Sequence, residues 1–279
     1  MLLKLMSIEI LKLFRRPRSY IGFLAVIVIL LLIEAGLFAD GKSMLDVILN
    51  NLRDNFYLQG NLLNGYLVTY FALNTLWIHI PILIVIVIGD MVSGEAVTGT
   101  FRLILARPVS RINIITSKYV ASLLYTLILM GLMAVFSLGL GIIIFGKGDL
   151  IVLIKGINII PSEELPWRFT FAFIFGILSM WTVTSLSFLF SCLSENSISP
   201  ILASMAVIIL FTILSNFEIS IFDKVKPYLF TTYMAEWRSF FNFQVDTGTL
   251  LKSTLVLGGH MAGFYALSVF VFSKKDITS

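Results

Sequence analysis

The sequence predicts an all-α integral membrane protein. Three observations carry that prediction. Hydrophobic residues make up 58% of the 279 and charged ones only 13%, the mean hydropathy is +0.97, and the apolar residues gather into runs of the ~20 residues that a helix needs to cross a bilayer. A soluble domain of this composition would expose far too much apolar surface to water. The runs are continuous, not short and alternating, so helices and not a β-barrel satisfy the backbone within the membrane.

Residues 1–19 come first as an amphipathic interface helix. Leu2, Leu5, Met6, Ile8, Leu13 and Phe14 recur at near-helical spacing among Lys4, Ser7, Glu9 and Lys12, so one face suits a membrane surface. Pro17 ends that segment and turns the chain into the first span. Residues 20–279 then form one six-helix transmembrane domain, with spans at Tyr20–Ala39, Leu67–Ile88, Tyr119–Phe145, Phe169–Leu193, Ile198–Asn216 and Leu251–Phe272. The first is a retained span: its apolar run is too long for a signal-peptide core, and Leu37-Phe38-Ala39 lacks the small residue of a cleavage site. The single cysteine, Cys192, excludes an internal disulfide and a thiolate metal cluster.

Lys and Arg set the orientation. Segments 1–19, 89–118, 194–197 and 273–279 hold 11 of them in 60 residues, whereas 40–66, 146–168 and 217–250 hold 8 in 84. Both termini are therefore expected in the cytoplasm, with the protein in the cell (inner) membrane. The net charge of +4 reads as anchoring to anionic lipid, and no nucleic-acid partner is expected.

The most informative stretch is the polar island at 89–118, between spans two and three. Ser93 is placed to cap a short helix on which Val97, Phe101 and Leu105 recur every fourth residue, with Glu95 and Arg102 on a neighbouring stripe. Gly94, Gly99 and Pro108 are its hinges, and Ser110 caps a second helix leading into span three. A short amphipathic helix of this kind suits insertion into a partner's groove.

The run Glu95, Gly99-Thr100, Arg102-Leu103, Leu105, Arg107-Pro108-Val109-Ser110-Arg111 and Lys118 resembles the motif of ABC-transporter permeases of the type 2 (exporter-type) family, E-x3-G-T-x-R-x-x-L-x-R-P-V-S-R-x6-K. The amphipathic start with Glu9, Lys12 and Arg15 is similar too, as is the tail from Phe272 through Lys274-Lys275-Asp276-Ile277. The resemblance covers the whole chain in architecture but is specific in residues only at the island. It implies a permease subunit of an ATP-driven exporter, paired with a second permease chain and with two copies of a cytoplasmic ABC ATPase. It also implies that the island carries the coupling helix. The coupling residues expected on that basis are Glu95, Phe101, Arg102, Leu105, Arg107, Pro108 and Arg111. Glu95 and Arg102 are the docking charges, Phe101 and Leu105 the buried anchor, and Pro108 sets the angle.

The chain's own residues supply no nucleotide site. Gly141-x4-Gly146-Lys147 is followed by Gly148 where a Walker A loop needs Ser or Thr, and Leu257-Gly258-Gly259-His260 sits inside a span. No cofactor is expected on this chain; ATP and Mg2+ belong to the partner. A membrane-embedded enzyme would need convergent acids, bases or metal ligands, and Asp90, Glu95 and the two histidines are scattered. The alternative function is a stand-alone facilitator or channel, which would usually carry ion-selecting charges in its spans.

The stretch 217–250 is too polar to span and too apolar to float, so short re-entrant or interfacial helices are expected there, with Tyr233 and Trp237 as interfacial belt residues. Segment 146–168 reads similarly, with Trp167 in the belt. Within the spans, Glu34, His79 and His260 are the candidate translocation-path residues. They form no cluster in sequence, and no metal site is expected from the histidines with Met261. Ser137-x3-Gly141 and Gly259-x3-Gly263 permit close helix contact. The apolar spans lean toward an amphiphilic or hydrophobic cargo over a sugar or free ion.

Overall fold

The structure, a computed structural model, describes residues 2–53, 60–99, 109–153, 156–217 and 219–275. Within them lie α1 (Leu2–Arg15), α2 (Pro17–Arg53), α3 (Gly65–Ile88), α4 (Ser93–Val97) and α5 (Arg111–Phe145). A hairpin of β1 (Leu150–Leu153) and β2 (Ile157–Ile160) precedes α6 (Leu165–Leu193), α7 (Ser199–Asn216), α8 (Phe230–Met234) and α9 (Thr247–Lys274). Six helices, α2, α3, α5, α6, α7 and α9, are long and apolar enough to cross a membrane. That is the build of a multi-pass membrane protein.

Local chemistry sets the ends of these helices. The chain bends at Arg16, and Pro17, which has no N–H to satisfy, opens α2. The Ser19 hydroxyl donates to the Leu13 carbonyl across that corner. Asn64 caps α3, its side-chain oxygen accepting from the Tyr66 and Leu67 amides at 3.1 Å each. Ser110 caps α5 as expected, accepting from the Asn113 amide at 3.2 Å. Asp246 caps α9 through Thr249, whose hydroxyl and amide hold its carboxyl below the usual carboxylate range. The first spanning helix continues to Arg53, well past the expected end at Ala39. No proline interrupts 40–53, and the buried stripe of Leu30 and Glu34 runs on through Gly41.

Helix α6 is the axis of the bundle, packed by α3, α5, α7 and α9. Its serines and threonines join it to neighbours. Thr184 and Thr126 hydroxyls lie 2.7 Å apart, Ser185 is 2.7 Å from the Tyr119 hydroxyl, and the Trp181 indole donates to the Leu123 carbonyl at 3.0 Å. Most of these hydroxyls also return to a carbonyl one turn back, so they cross the interface without stranding a donor.

The tightest crossing joins α3 and α5. A Cβ on Gly65 would lie 2.4 Å from the Gly141 carbonyl carbon, and Thr69 Oγ1 reaches the Ser137 carbonyl at 2.9 Å. Ser137 and Gly141 thus supply the close contact expected of them. Gly65→Ala meets backbone, which cannot rotate away, and is expected to cost about 1–3 kcal/mol, read as a lower melting temperature of the purified protein in detergent. Gly259 and Gly263 behave differently: a Cβ on either meets nothing within 4 Å, so this pair makes no close contact among the described residues.

Two expectations for the loops are corrected. Segment 146–168 holds an antiparallel hairpin, Leu150 opposite Ile160, where short helices were expected, so the chain is not wholly α. Its strands are β-branched and apolar, LIVL and INII, with Gly156 between them at φ +143°, a conformation glycine adopts freely. The second concerns Trp237. Short helical turns do occupy 226–241, but they fold back into the bundle, and Trp237 is 0% exposed between Tyr70, Trp77 and Phe241. It is a core residue, as is the buried Tyr233, whereas Trp167 is exposed as a belt residue would be. Arg168 clamps this fold-back, donating to the Phe240 and Asn242 carbonyls at 2.9 and 2.7 Å.

Candidate functional site

Both ends of the described chain lie at one end of the bundle, and there the charged residues converge. Helix α1 lies across the start of α5. Its amphipathic spacing turns Glu9 and Leu13 inward while Leu3, Ile8 and Leu11 stay exposed. Lys118, one turn beyond the first residues of α5, is 0% exposed. Its ammonium lies 2.7 Å from Glu9 Oε2 and 2.7 Å from Glu95 Oε2. Lys12 bridges the same two carboxylates, 2.8 Å from Glu9 and 3.3 Å from Glu95. Arg16 approaches Glu95 at 3.6 Å, and Arg18 pairs with Asp90 at 3.0 Å.

This is a latch of alternating charge joining α1, the α3–α4 corner and α5. A buried charge is tolerated only when paired and hydrogen-bonded, and Lys118 meets that condition through carboxylates that come from two other elements. Burial alone would raise the Glu9 carboxyl, but the Lys118 and Lys12 ammonium groups outweigh it and hold it below its ordinary 4.5. Burial would likewise lower Lys12, yet the Glu9 hydrogen bond and the Glu95 charge lift it above its ordinary 10.5. Glu9 therefore contributes fully above pH 4.5 and loses its contribution as pH falls through its lowered value. Lys12 contributes fully below 10.5 and loses its contribution as pH rises through its raised value. The melting-temperature gap between wild type and the Glu9→Gln/Lys12→Met double variant is expected to be widest near neutrality and to close in acid.

Helix α4 is held from a further side. The amides of Val92 and Ser93 donate to Ser191 Oγ of α6 at 3.0 and 3.1 Å. Ser93 is thus not the cap: its own hydroxyl returns to the Gly89 carbonyl at 2.9 Å, and a side chain from another helix satisfies the exposed amides. Gly94 leaves room for the Asp90 carboxylate, since a Cβ there would lie 2.5 Å from Asp90 Oδ1. The helix also stops earlier than expected, at Val97, where Gly99 turns left-handed at φ +68°.

The expected site residues divide accordingly. Phe101, Arg102, Leu105, Arg107 and Pro108 lie outside the described residues. Glu95, expected to offer a docking charge, is 3% exposed and turned into the latch. Arg111 donates to the Ser273 and Lys275 carbonyls at 3.1 and 2.9 Å, tying the end of α9 to the start of α5. Lys275 in turn reaches the carbonyls that end α6, Cys192 at 3.2 Å and Ser194 at 2.9 Å. A cleft of about 400 Å³ opens beside the latch, lined by Lys12, Arg16, Arg18, Asp90, Thr98 and Ser197 among others.

Glu34, His79 and His260 are not brought into one site. Glu34 is 2% exposed on α2. His79 stands on an exposed face of α3 with Nδ1 2.8 Å from the Thr75 carbonyl, and His260 Nε2 lies 3.2 Å from the Tyr228 carbonyl. Among the described residues, no group of three or more His, Cys, Asp or Glu is arranged to hold a metal ion.

The profile of a family described as "Protein of unknown function (DUF2705)" matches residues 28–278, nearly all of the spanning region. The chain belongs to this family. It is also similar to "Uncharacterized protein YhcI" of Bacillus subtilis (strain 168), 26% identical over an alignment of 207 residues that covers 70% of this chain and 64% of that protein. The chain thus matches less than two thirds of that relative's length. In this DUF2705 chain, Asp90, Glu95 and Lys118 of the latch fall within the matched stretch, and α1 with Glu9, Lys12, Arg16 and Arg18 lies ahead of it.

Sequence reading had Glu95 and Lys118 in view as motif positions but not as partners, because 23 positions of sequence separate them and only the fold closes the gap. Ser191 gave no local signal at all. The available clue for Lys118 was a cation placed at the mouth of an apolar run, where a charge must find a partner or reach water.

Proposed function

We propose that this protein is the permease subunit of an ATP-driven exporter of the ABC type, multi-pass in the cell membrane with both termini in the cytoplasm. A second permease chain and two separate ATPase subunits would complete it. One observation carries the reading beyond the sequence motif. The segment between α3 and α5 is fastened to three other helices at once, through Glu95 to Lys12 of α1 and Lys118 of α5, and through its amides to Ser191 of α6. A push delivered to α4 reaches α1, α5 and α6 through these direct contacts. That is the property a coupling element needs if ATP-driven closure of the partner is to tip the bundle between two states.

In this reading Phe101 and Leu105 enter the ATPase groove, Arg102 and Arg107 supply the docking charges, and Pro108 sets the angle. Glu95 acts one step back, holding the coupling segment to the bundle. The 226–241 fold-back lies at the outer side. A cleft of about 480 Å³ between α3, α7 and this fold-back, with Trp77, Met205 and Met234 on its walls and Arg238 at its edge, suits an amphiphilic cargo.

The test uses Val97, 59% exposed on α4. The native Cys192 is buried, so a cysteine at Val97→Cys is the only accessible thiol among the described residues. A benzophenone attached there and photolysed in native membranes is expected to cross-link to a nucleotide-binding polypeptide, and maleimide is expected to reach it only from the cytoplasmic side. Cross-links confined to lipid, or labelling from outside, would overturn the proposal.

A further inference from the structure

Among the described residues, Glu34 is the acidic side chain with both carboxylate oxygens buried and unpartnered. It is 2% exposed, and neither carboxylate oxygen has a hydrogen-bond partner among the described residues. Its depth follows from the helix registers. Gly41 of α2 packs on Leu63 just ahead of α3, and Phe38 meets Phe145 of α5 with ring centroids 6.3 Å apart. Glu34 therefore sits about a turn inside those contacts, level with Tyr70 on α3 and the Ser137–Gly141 turn of α5. Ser137 Oγ is also buried without a partner.

Among the described residues, no cation lies at this depth to compensate an ionised carboxylate. The titratable side chains of α3 are Tyr66, Tyr70 and His79. The Tyr70 ring is engaged with Trp237 and Phe241, and His79 lies further along on an exposed face. Those of α5 are Arg111, Lys118, Tyr119 and Tyr125, all toward the other end. Those of α1 lie at that end too. On α2 itself Asp40, Lys42 and Asp46 are exposed. The nearby hairpin strand β1, LIVL, has no titratable side chain.

The same stripe of α2 lines a cavity. Leu37, Gly41, Met44 and Leu45 form one wall of a space of about 300 Å³ closed by α3 and β1, almost wholly apolar apart from Asn74 and the Tyr70 hydroxyl. Glu34 lies one helical turn below Leu37, beneath the floor of that space.

We propose that Glu34 is a proton-binding site: its carboxyl is held neutral in the packed α2–α3–α5 corner, and the apolar cavity above it is the route of access. Ionising it would strand a charge with neither water nor counter-ion, which the bundle tolerates only by opening this corner. Closure of the corner is then conditional on a bound proton. This goes beyond the transport reading and does not depend on it.

The direct test is infrared difference spectroscopy of the full chain in lipid bilayers, wild type against Glu34→Gln, at neutral pH. The difference is expected to contain the carbonyl band of a protonated carboxyl; the paired stretches of a carboxylate would overturn the proposal. A second measurement tests access. Dicyclohexylcarbodiimide reacts with a carboxylic acid by taking its proton onto nitrogen while the carboxyl oxygen bonds to the central carbon, and the adduct rearranges to a stable N-acylurea. Peptide mapping is expected to place this label on Glu34, with labelling falling as pH is raised and absent in Glu34→Gln. A water-soluble carbodiimide labelling Glu34 equally well would overturn the apolar route, and so would no label at all.

Discussion

Lys118→Met is expected to be the most destabilising single substitution in the latch. It removes the one fully buried cation among the described residues and leaves the Glu9 and Glu95 carboxylates facing each other with the half-exposed Lys12 and Arg16 to compensate. Removing one partner of a buried ion pair costs about 3–5 kcal/mol, mostly because of the charge left behind. The expected readout is a large fall in the melting temperature of detergent-purified protein, or loss of the monodisperse peak. The same cause predicts its own rescue. Lys118→Met combined with Glu9→Gln and Glu95→Gln removes the stranded charges and is expected to recover much of the loss. A triple variant as unstable as the single one would show that Lys118 acts through packing of its stem and not through charge.

Phe101→Asp is expected to act in the opposite way, sparing the fold and abolishing function. In the proposed complex Phe101 is the apolar anchor of the coupling segment. A carboxylate would have to be desolvated in the partner's groove, a cost large enough to lose a central anchor's share of binding, about 2 kcal/mol or more. Insertion and melting temperature should stay near wild type while stimulation of the partner's ATPase and transport both vanish. Wild-type coupling in Phe101→Asp would remove the residue from the interface. The two variants separate the latch, which is internal, from the proposed docking surface.

The spanning helices were readable because each is a continuous apolar run with a chemical stop. Pro17 opens α2, Asn64 and Ser110 cap α3 and α5, and the ends fell within a few residues except where 40–53 prolonged α2 and where α5 begins at Arg111, ahead of the expected Tyr119. The hairpin at 150–160 was not readable in the same way, since two four-residue apolar strands look like fragments of an interfacial helix until their pairing is known. Trp237 was misplaced because aromatic residues near a membrane boundary suit either the belt or the core, and the fold-back held by Arg168 decides between them. At the site, sequence reading offered Glu95 as a docking charge, whereas the fold buries it against Lys118. Its partners come from α1 and α5, and periodicity within one helix cannot report a charge that arrives from another.

The central claim is that this chain is driven by a separate ATPase. The measurement that meets it most directly is purification from native membranes in a mild detergent shown to preserve a known ABC complex, with mass spectrometry and an ATPase assay of what remains bound. The expected result is a stoichiometric ABC ATPase whose hydrolysis depends on Phe101 and Leu105. A pure chain with no nucleotide-binding partner under the same conditions would contradict the account and favour a stand-alone facilitator.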